Sequence, residues 1–137
     1  MLDSTQQPKG QLILRTLAMP ADTNPAGDIF GGWIMSQMDI AGGILAREST
    51  CSRIVTVAVD SFKFIKPVHV GDVVCCYGEV VRTGTTSIAI HLEVWAKPSV
   101  DQPGAVAVEF QVTSATFTYV AVDSKGQKQV IKQGCHC

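Results

Sequence analysis

Two hydrophobic rhythms divide this chain. From residue 32 to about 48, Trp33, Ile34, Met35, Met38, Ile40, Ala41, Ile44, Leu45 and Ala46 recur too densely for a one-sided surface helix and cover most of a helical circumference. The spacing predicts a helix wrapped by other structure. Residues 53–65, 72–83, 87–97 and 105–121 instead alternate with period two in good β formers and are predicted as strands, and 11–19, with β-branched and large apolar residues before Pro20, suits a first strand. Residues 20–28, rich in Pro, Gly, Asn and Asp, form a loop before the helix. The last three strands follow one another through short connections, which favours an antiparallel meander. One long helix with about five long antiparallel strands is an α+β arrangement, a sheet curled around a central helix. That arrangement still exposes an open sheet edge and half of the helix, and self-association is the usual cure. At least a dimer, with sites shared between subunits, is expected.

Size and charge narrow the function. At 137 residues the chain fits one domain, with 1–10 and 124–137 read as peripheral. Its formal charge is -1, from 11 basic and 12 acidic residues without a basic run, so a nucleic-acid partner is not expected. No apolar stretch approaches the ~20 residues of a membrane helix and the first ten residues are polar, so a cytoplasmic protein is expected. The five cysteines, Cys51, Cys75, Cys76, Cys135 and Cys137, are an odd count and are read as reduced thiols. Cys135-His136-Cys137 offers potential metal ligands, but on a terminus they make a poor preorganised site, and no metal is expected.

One acid stands out. Asp39 lies in the middle of the apolar helix, where burying a lone carboxylate is expensive and rarely done without a use. Structural pairing with Ser36, Thr56 or a backbone donor is the alternative. Gly31-Gly32 opens the helix, and glycines there let a ligand approach N–H groups that the first turn cannot pair internally. Those donors, with the positive end of the helix dipole, suit an oxyanion; a tight turn would explain the glycines equally. Asn24 can bind a carbonyl or water and Asp28 can cap the helix or shape the loop. Asp39 lies about 10 to 12 Å along the axis from the glycines, so both grip one small group only if one comes from a partner subunit. His69 and His91 have no partner at nucleophile or metal spacing. Serine-nucleophile, phosphate-loop and dinucleotide motifs do not occur, which leaves a carboxylate and backbone donors acting on an activated acyl group.

These residues fall into ordered blocks. Leu17-Ala18-Met19-Pro20, Asp22-Thr23-Asn24, Gly27 through Met35, Met38-Asp39, Ala58 through Phe62 and Phe64 through Asp72 together resemble the hotdog-fold acyl-CoA thioesterases of the YciA type, over roughly residues 10 to 123. The resemblance implies that the helix is the sausage and the sheet the bun, and that dimers assemble further, as a trimer of dimers. It implies hydrolysis of acyl-CoA, with Asp39 as general base or nucleophile and the Phe30-Gly31-Gly32 turn supplying oxyanion donors. Asn24 and Asp28 would line the opposing side. Coenzyme A, part of the substrate rather than a cofactor, would contact Val59, Asp60, Ser61, Phe62, Arg82, Thr83, Gly84, Thr85 and Ser87, with Phe30 and Trp33 nearby. Many relatives carry His where this chain has Phe30, which counts against imidazole-dependent hydratase chemistry. A non-catalytic acyl-CoA sensor on the same scaffold is the competing reading, and a purely structural module a third.

Overall fold

A computed structural model of the chain describes residues 6–98 and 108–132. The segments expected as strands become β1 (Gln11–Leu17), β2 (Arg53–Phe64), β3 (Val73–Thr83), β4 (Ser87–Lys97) and β5 (Phe110–Val122), and the dense apolar run becomes one helix, α1 (Gly31–Thr50). The start expected for the last strand and the Cys135-His136-Cys137 tail lie outside the described residues. The strands form one antiparallel sheet in the order β1-β3-β4-β5-β2. Short connections make β3-β4-β5 the expected meander, while α1 carries the chain across the sheet so that β2 docks on the far edge, against β5.

Alternation decides which face is buried. Ile88, Ile90, Leu92, Val94 and Ala96 of β4 and Phe117, Tyr119 and Ala121 of β5 share a core with Ile34, Met38, Ala41 and Leu45 of α1. Each large side chain removed from water there contributes about 1.5–3 kcal/mol. The core-facing helix positions fall at i, i+4, i+7 and i+11, a single stripe.

The opposite side of the helix is bare, with apolar residues set among polar ones such as Ser36 and Arg47. Met35, Ile40 and Ile44 are exposed, as are Val55, Val57 and Val59 of β2, whose outer edge has no strand paired to it among the described residues. The helix is thus wrapped on one side only within a single chain. A twelve-residue unpaired edge beside exposed isoleucines is a surface that needs covering.

The thiols differ from expectation. Cys75 and Cys76 are free and buried, and burial pushes the Cys76 thiol up to about 12. Cys51, however, is disulfide-bonded. Counting cysteines could not anticipate that Cys51 closes the helix in a left-handed conformation (φ 48°, ψ 38°), half-exposed, rather than packing in the core like the other two. No described helix is long and apolar enough to cross a membrane.

Candidate active site

The helix start is built by its loop. Asn24 Oδ1 accepts hydrogen bonds from the N–H groups of Ala26 (3.0 Å) and Asp28 (3.1 Å), and the Asn24 N–H donates to the Asp28 carbonyl at 2.7 Å. Asn24 therefore holds the loop with its oxygen, and only its NH₂ is left to meet a ligand. Asp28 is exposed and is not the cap; that position belongs to Phe30, which has no side-chain oxygen to offer. The Phe30 carbonyl accepts from Trp33 (3.1 Å) and Ile34 (3.3 Å), whereas the N–H groups of Gly31 and Gly32 have no acceptor among the described residues. Gly32 is open: a Cβ there would meet nothing within 4 Å. Phe64, half exposed, lies over Gly31, and its ring packs 4.8 Å from that of Phe62. An apolar cleft of about 350 Å³, lined by Ile29, Gly31, Ile34, Phe64 and Val68 among others, opens at this corner.

Two turns further along, Asp39 is half-buried and asymmetrically held. Thr56 Oγ1 of β2 donates to its Oδ1 at 2.7 Å. Tyr119 Oη of β5 donates to the same Oδ1 and to the Asp39 main-chain carbonyl, both at 3.1 Å. Oδ2 has no partner among the described residues. Thr56 and Tyr119 face one another in the β2–β5 register, so the sheet presents both hydroxyls at one level of the helix. Ser36 instead donates to the Trp33 carbonyl and takes no part. Burial, then the neighbouring Asp39 charge and its hydrogen bond, drive the Tyr119 phenol far above its usual range, so it remains a donor. Asp39 lines a depression of about 570 Å³ with Ile40, Gly43, Ile44, Arg47, Arg53 and Ile54.

The remaining expected positions lie along the edges. Val59, Asp60, Ser61 and Phe62 sit on β2 at a bulge between Asp60 and Lys63, with Ser61 in a left-handed conformation (φ 56°). Arg82, Thr83, Gly84, Thr85 and Ser87 form the β3–β4 hairpin, whose Ser87 pairs with Val120, next to the Tyr119–Thr56 level. Trp33 is half-buried against the core. One chain thus brings together two separate groups, the Phe30-Gly31-Gly32 corner and the Asp39–Thr56–Tyr119 cluster. Eight residues of helix, about 12 Å, lie between them.

Tyr119 was missed by sequence reasoning. Its signal was a hydroxyl at an inward-facing position between Phe117 and Ala121, which needs a partner when buried. A second polar cluster lies on the outer sheet face, where buried Glu93 accepts from Trp95 Nε1 (2.9 Å) and the Lys9 N–H (3.3 Å), and its Oε2 lies 2.8 Å from His91 Nε2. Burial alone would raise the Glu93 carboxyl, but the bonds from His91, Trp95 and Lys9 hold it below the ordinary glutamate range. Among the described residues no group of three His, Cys, Asp or Glu is arranged to hold a metal.

Comparison with known proteins bears on both groups. Residues 26–101 match the Thioesterase superfamily. The acyl-CoA thioester hydrolase YciA of Escherichia coli is 55% identical over 124 residues, covering 90% of this chain and 92% of that protein. An uncharacterized acyl-CoA thioester hydrolase of Haemophilus influenzae is 57% identical over 126 residues, 92% of this chain and 80% of the other. Among solved structures, a hexameric broad specificity acyl-coenzyme A thioesterase superposes with a TM-score of 0.87 at 56% identity, covering 94% of this chain and 86% of its own. A hexameric thioesterase from Yersinia pestis gives 0.85 at 54%, with 93% and 100% covered.

Proposed function

The chain belongs to the YciA-type acyl-CoA thioester hydrolases of the thioesterase superfamily, and we propose that it cleaves acyl-CoA to a carboxylic acid and free coenzyme A with Asp39 as the reacting group. The observation that carries this role is the divided carboxylate: among the described residues Oδ1 holds two hydroxyl donors and Oδ2 none. A carboxylate so fixed has one oxygen to orient it and one to react.

In the proposed reaction the thioester carbonyl oxygen rests on the Gly31 and Gly32 N–H groups, where charge developing on it is met by unpaired donors and the helix dipole. Asp39 Oδ2 takes a proton from water as the water oxygen bonds to the carbonyl carbon. Collapse of the tetrahedral intermediate breaks the C–S bond, and the proton passes from Asp39 to the departing thiolate. Alternatively Oδ2 attacks directly, forming an anhydride that water then opens; both routes consume one water and release acid and thiol. A single turnover in ¹⁸O-water separates them: the general-base route labels the released acid at once, whereas opening of the anhydride at the Asp39 carbonyl leaves the label in Asp39 and the first acid unlabelled. No cofactor enters either route, coenzyme A being part of substrate and product.

Because about 12 Å separates Asp39 from the glycine corner of its own chain, the complete site combines Asp39 of one subunit with the corner of a second. The bare β2 edge and the exposed Met35, Ile40 and Ile44 of α1 support a two-fold dimer formed there. Three such dimers would give a hexamer, the assembly named for the similar solved structures. The coenzyme would then run along the boundary past Val59 to Phe62 of β2 and the hairpin from Arg82 to Ser87.

A thiol-capture assay of coenzyme A release tests the reading. Asp39→Asn keeps the size and removes the charge, and should lower kcat about 10²- to 10⁴-fold with the oligomer intact. Activity near wild type would take Asp39 out of the chemistry, and tight acyl-CoA binding by the unmodified protein without turnover would make it a sensor instead.

A further inference from the structure

Resting on the hydrolase reading above, we infer that Tyr119 and Gly42 form a positioning pair for Asp39: the glycine admits the phenol against the helix, and the phenol fixes which carboxylate oxygen faces the substrate. The Tyr119 side chain is fully buried, its ring 6.3 Å from that of Phe117 and 21° from parallel, so the hydroxyl has little freedom to move. It donates to two oxygens of one residue, the main-chain carbonyl and Oδ1 of Asp39. Bridging backbone and side chain of the same residue ties the side-chain torsion directly to the helix. Thr56 alone, on the exposed edge strand, could not supply this, because its single bond to Oδ1 lets the carboxylate swing about the contact.

The approach requires that Gly42 have no side chain. A Cβ there would stand 2.3 Å from Tyr119 Oη and 3.0 Å from its Cζ, well inside van der Waals contact. Gly42 lies three residues after Asp39, on the same side of the helix. A helix interior disfavours glycine by about 1 kcal/mol relative to alanine, so its presence under the phenol points to a purpose other than helix formation. Tyr119 bonds to the Asp39 carbonyl and Oδ1, not to the Oδ2 assigned to react, so its contribution is to orientation.

The test is Tyr119→Phe, which removes the hydroxyl and little volume. Loss of orientation lowers kcat about tenfold while KM for acyl-CoA stays within twofold. Gly42→Ala, which displaces the hydroxyl without removing it, should reproduce the loss of kcat at unchanged KM and serves if Tyr119→Phe assembles poorly. A folded Tyr119→Phe with kcat within twofold of wild type overturns the pairing. If Asp39→Asn also retains activity, the hydrolase assignment of Asp39 fails first; if only Tyr119→Phe is silent, that assignment stands and the positioning role alone is lost.

Discussion

Two glycines adjacent in α1 should respond to alanine in opposite directions. On helix propensity alone, Gly42→Ala and Gly43→Ala would each stabilise by up to about 1 kcal/mol. At Gly43 the new methyl would meet Ile54 Cδ1 at 3.7 Å, an ordinary contact. At Gly42 it would meet Tyr119 Oη at 2.3 Å and Leu92 Cδ1 at 2.8 Å, in a part of the core where nothing is exposed enough to swing clear. Forcing one carbon into a filled core costs about 1–3 kcal/mol, and a buried phenol pushed off its acceptors costs about 1–3 kcal/mol more. The propensity gain offsets only about 1 kcal/mol of this, leaving Gly42→Ala less stable than wild type by roughly 1–5 kcal/mol. Thermal unfolding of the three proteins at one subunit concentration, since assembly makes the midpoint concentration-dependent, should place Gly42→Ala several degrees below wild type. Gly43→Ala should fall at or above it. Equal midpoints for the two variants would refute the claim that Gly42 is reserved for the phenol.

Two further outcomes follow from other surfaces. Ile40→Glu places a charge on the bare side of the helix and should lower the mass of the assembly measured by light scattering at micromolar concentration; an unchanged mass would remove that side from the interface. Glu93, whose carboxyl is held low, adds stability that is present above its unfolded pKa and lost as pH falls through the lower folded one. The stability gap between wild type and Glu93→Gln should be wide at pH 7 and close as the pH drops through and below the ordinary glutamate range, and a gap constant from pH 7 to 3 would contradict this.

Much of this was legible in the sequence because its signals are local. Strand alternation depends on neighbouring residues, and each described strand begins within a few residues of where the alternation does; β5 differs most, its described part starting at Phe110. Asp39 announced itself as an acid in the middle of an apolar helix, and Thr56 was among its candidate partners. Tyr119 did not, since its partner is 80 residues away and only the β5–β2 pairing brings it under α1. Asp28 was misplaced as a possible cap because acidic residues before helices usually are caps, whereas here the loop hydrogen bonds of Asn24 set the helix start two residues later. The dense apolar run does form one helix, but within the chain only one side of it is covered, and a sequence cannot say what covers the other. The Cys51 bond escaped for a related reason: a spacing shows which thiols exist, not which of them face outward.

That division between chains can be put to a direct test. If Asp39 reacts at the glycine corner of a second subunit, a dimer contains two sites, each drawing Asp39 from one chain and Gly31-Gly32 from the other. Gly31→Pro removes one donor at little cost to the helix: the first helical position accepts proline, Phe30 before it is already extended (φ -56°, ψ 132°), and the nearest obstacle, the Phe64 ring at 3.1 Å, is half exposed and free to shift. Its homo-oligomer should lose about 10²- to 10³-fold in kcat, and that of Asp39→Ala at least as much. Mixed and allowed to exchange, the two variants form hybrid dimers in which one site carries both lesions and the other neither. Equal mixing makes about half of the dimers hybrids, so about a quarter of wild-type activity should return from two inactive stocks. Recovery needs the complementary groups to come from different chains. If native mass spectrometry shows hybrids and activity stays at the level of the parents, each site lies within one subunit, and Asp39 must reach a thioester carbonyl held somewhere other than the glycine corner.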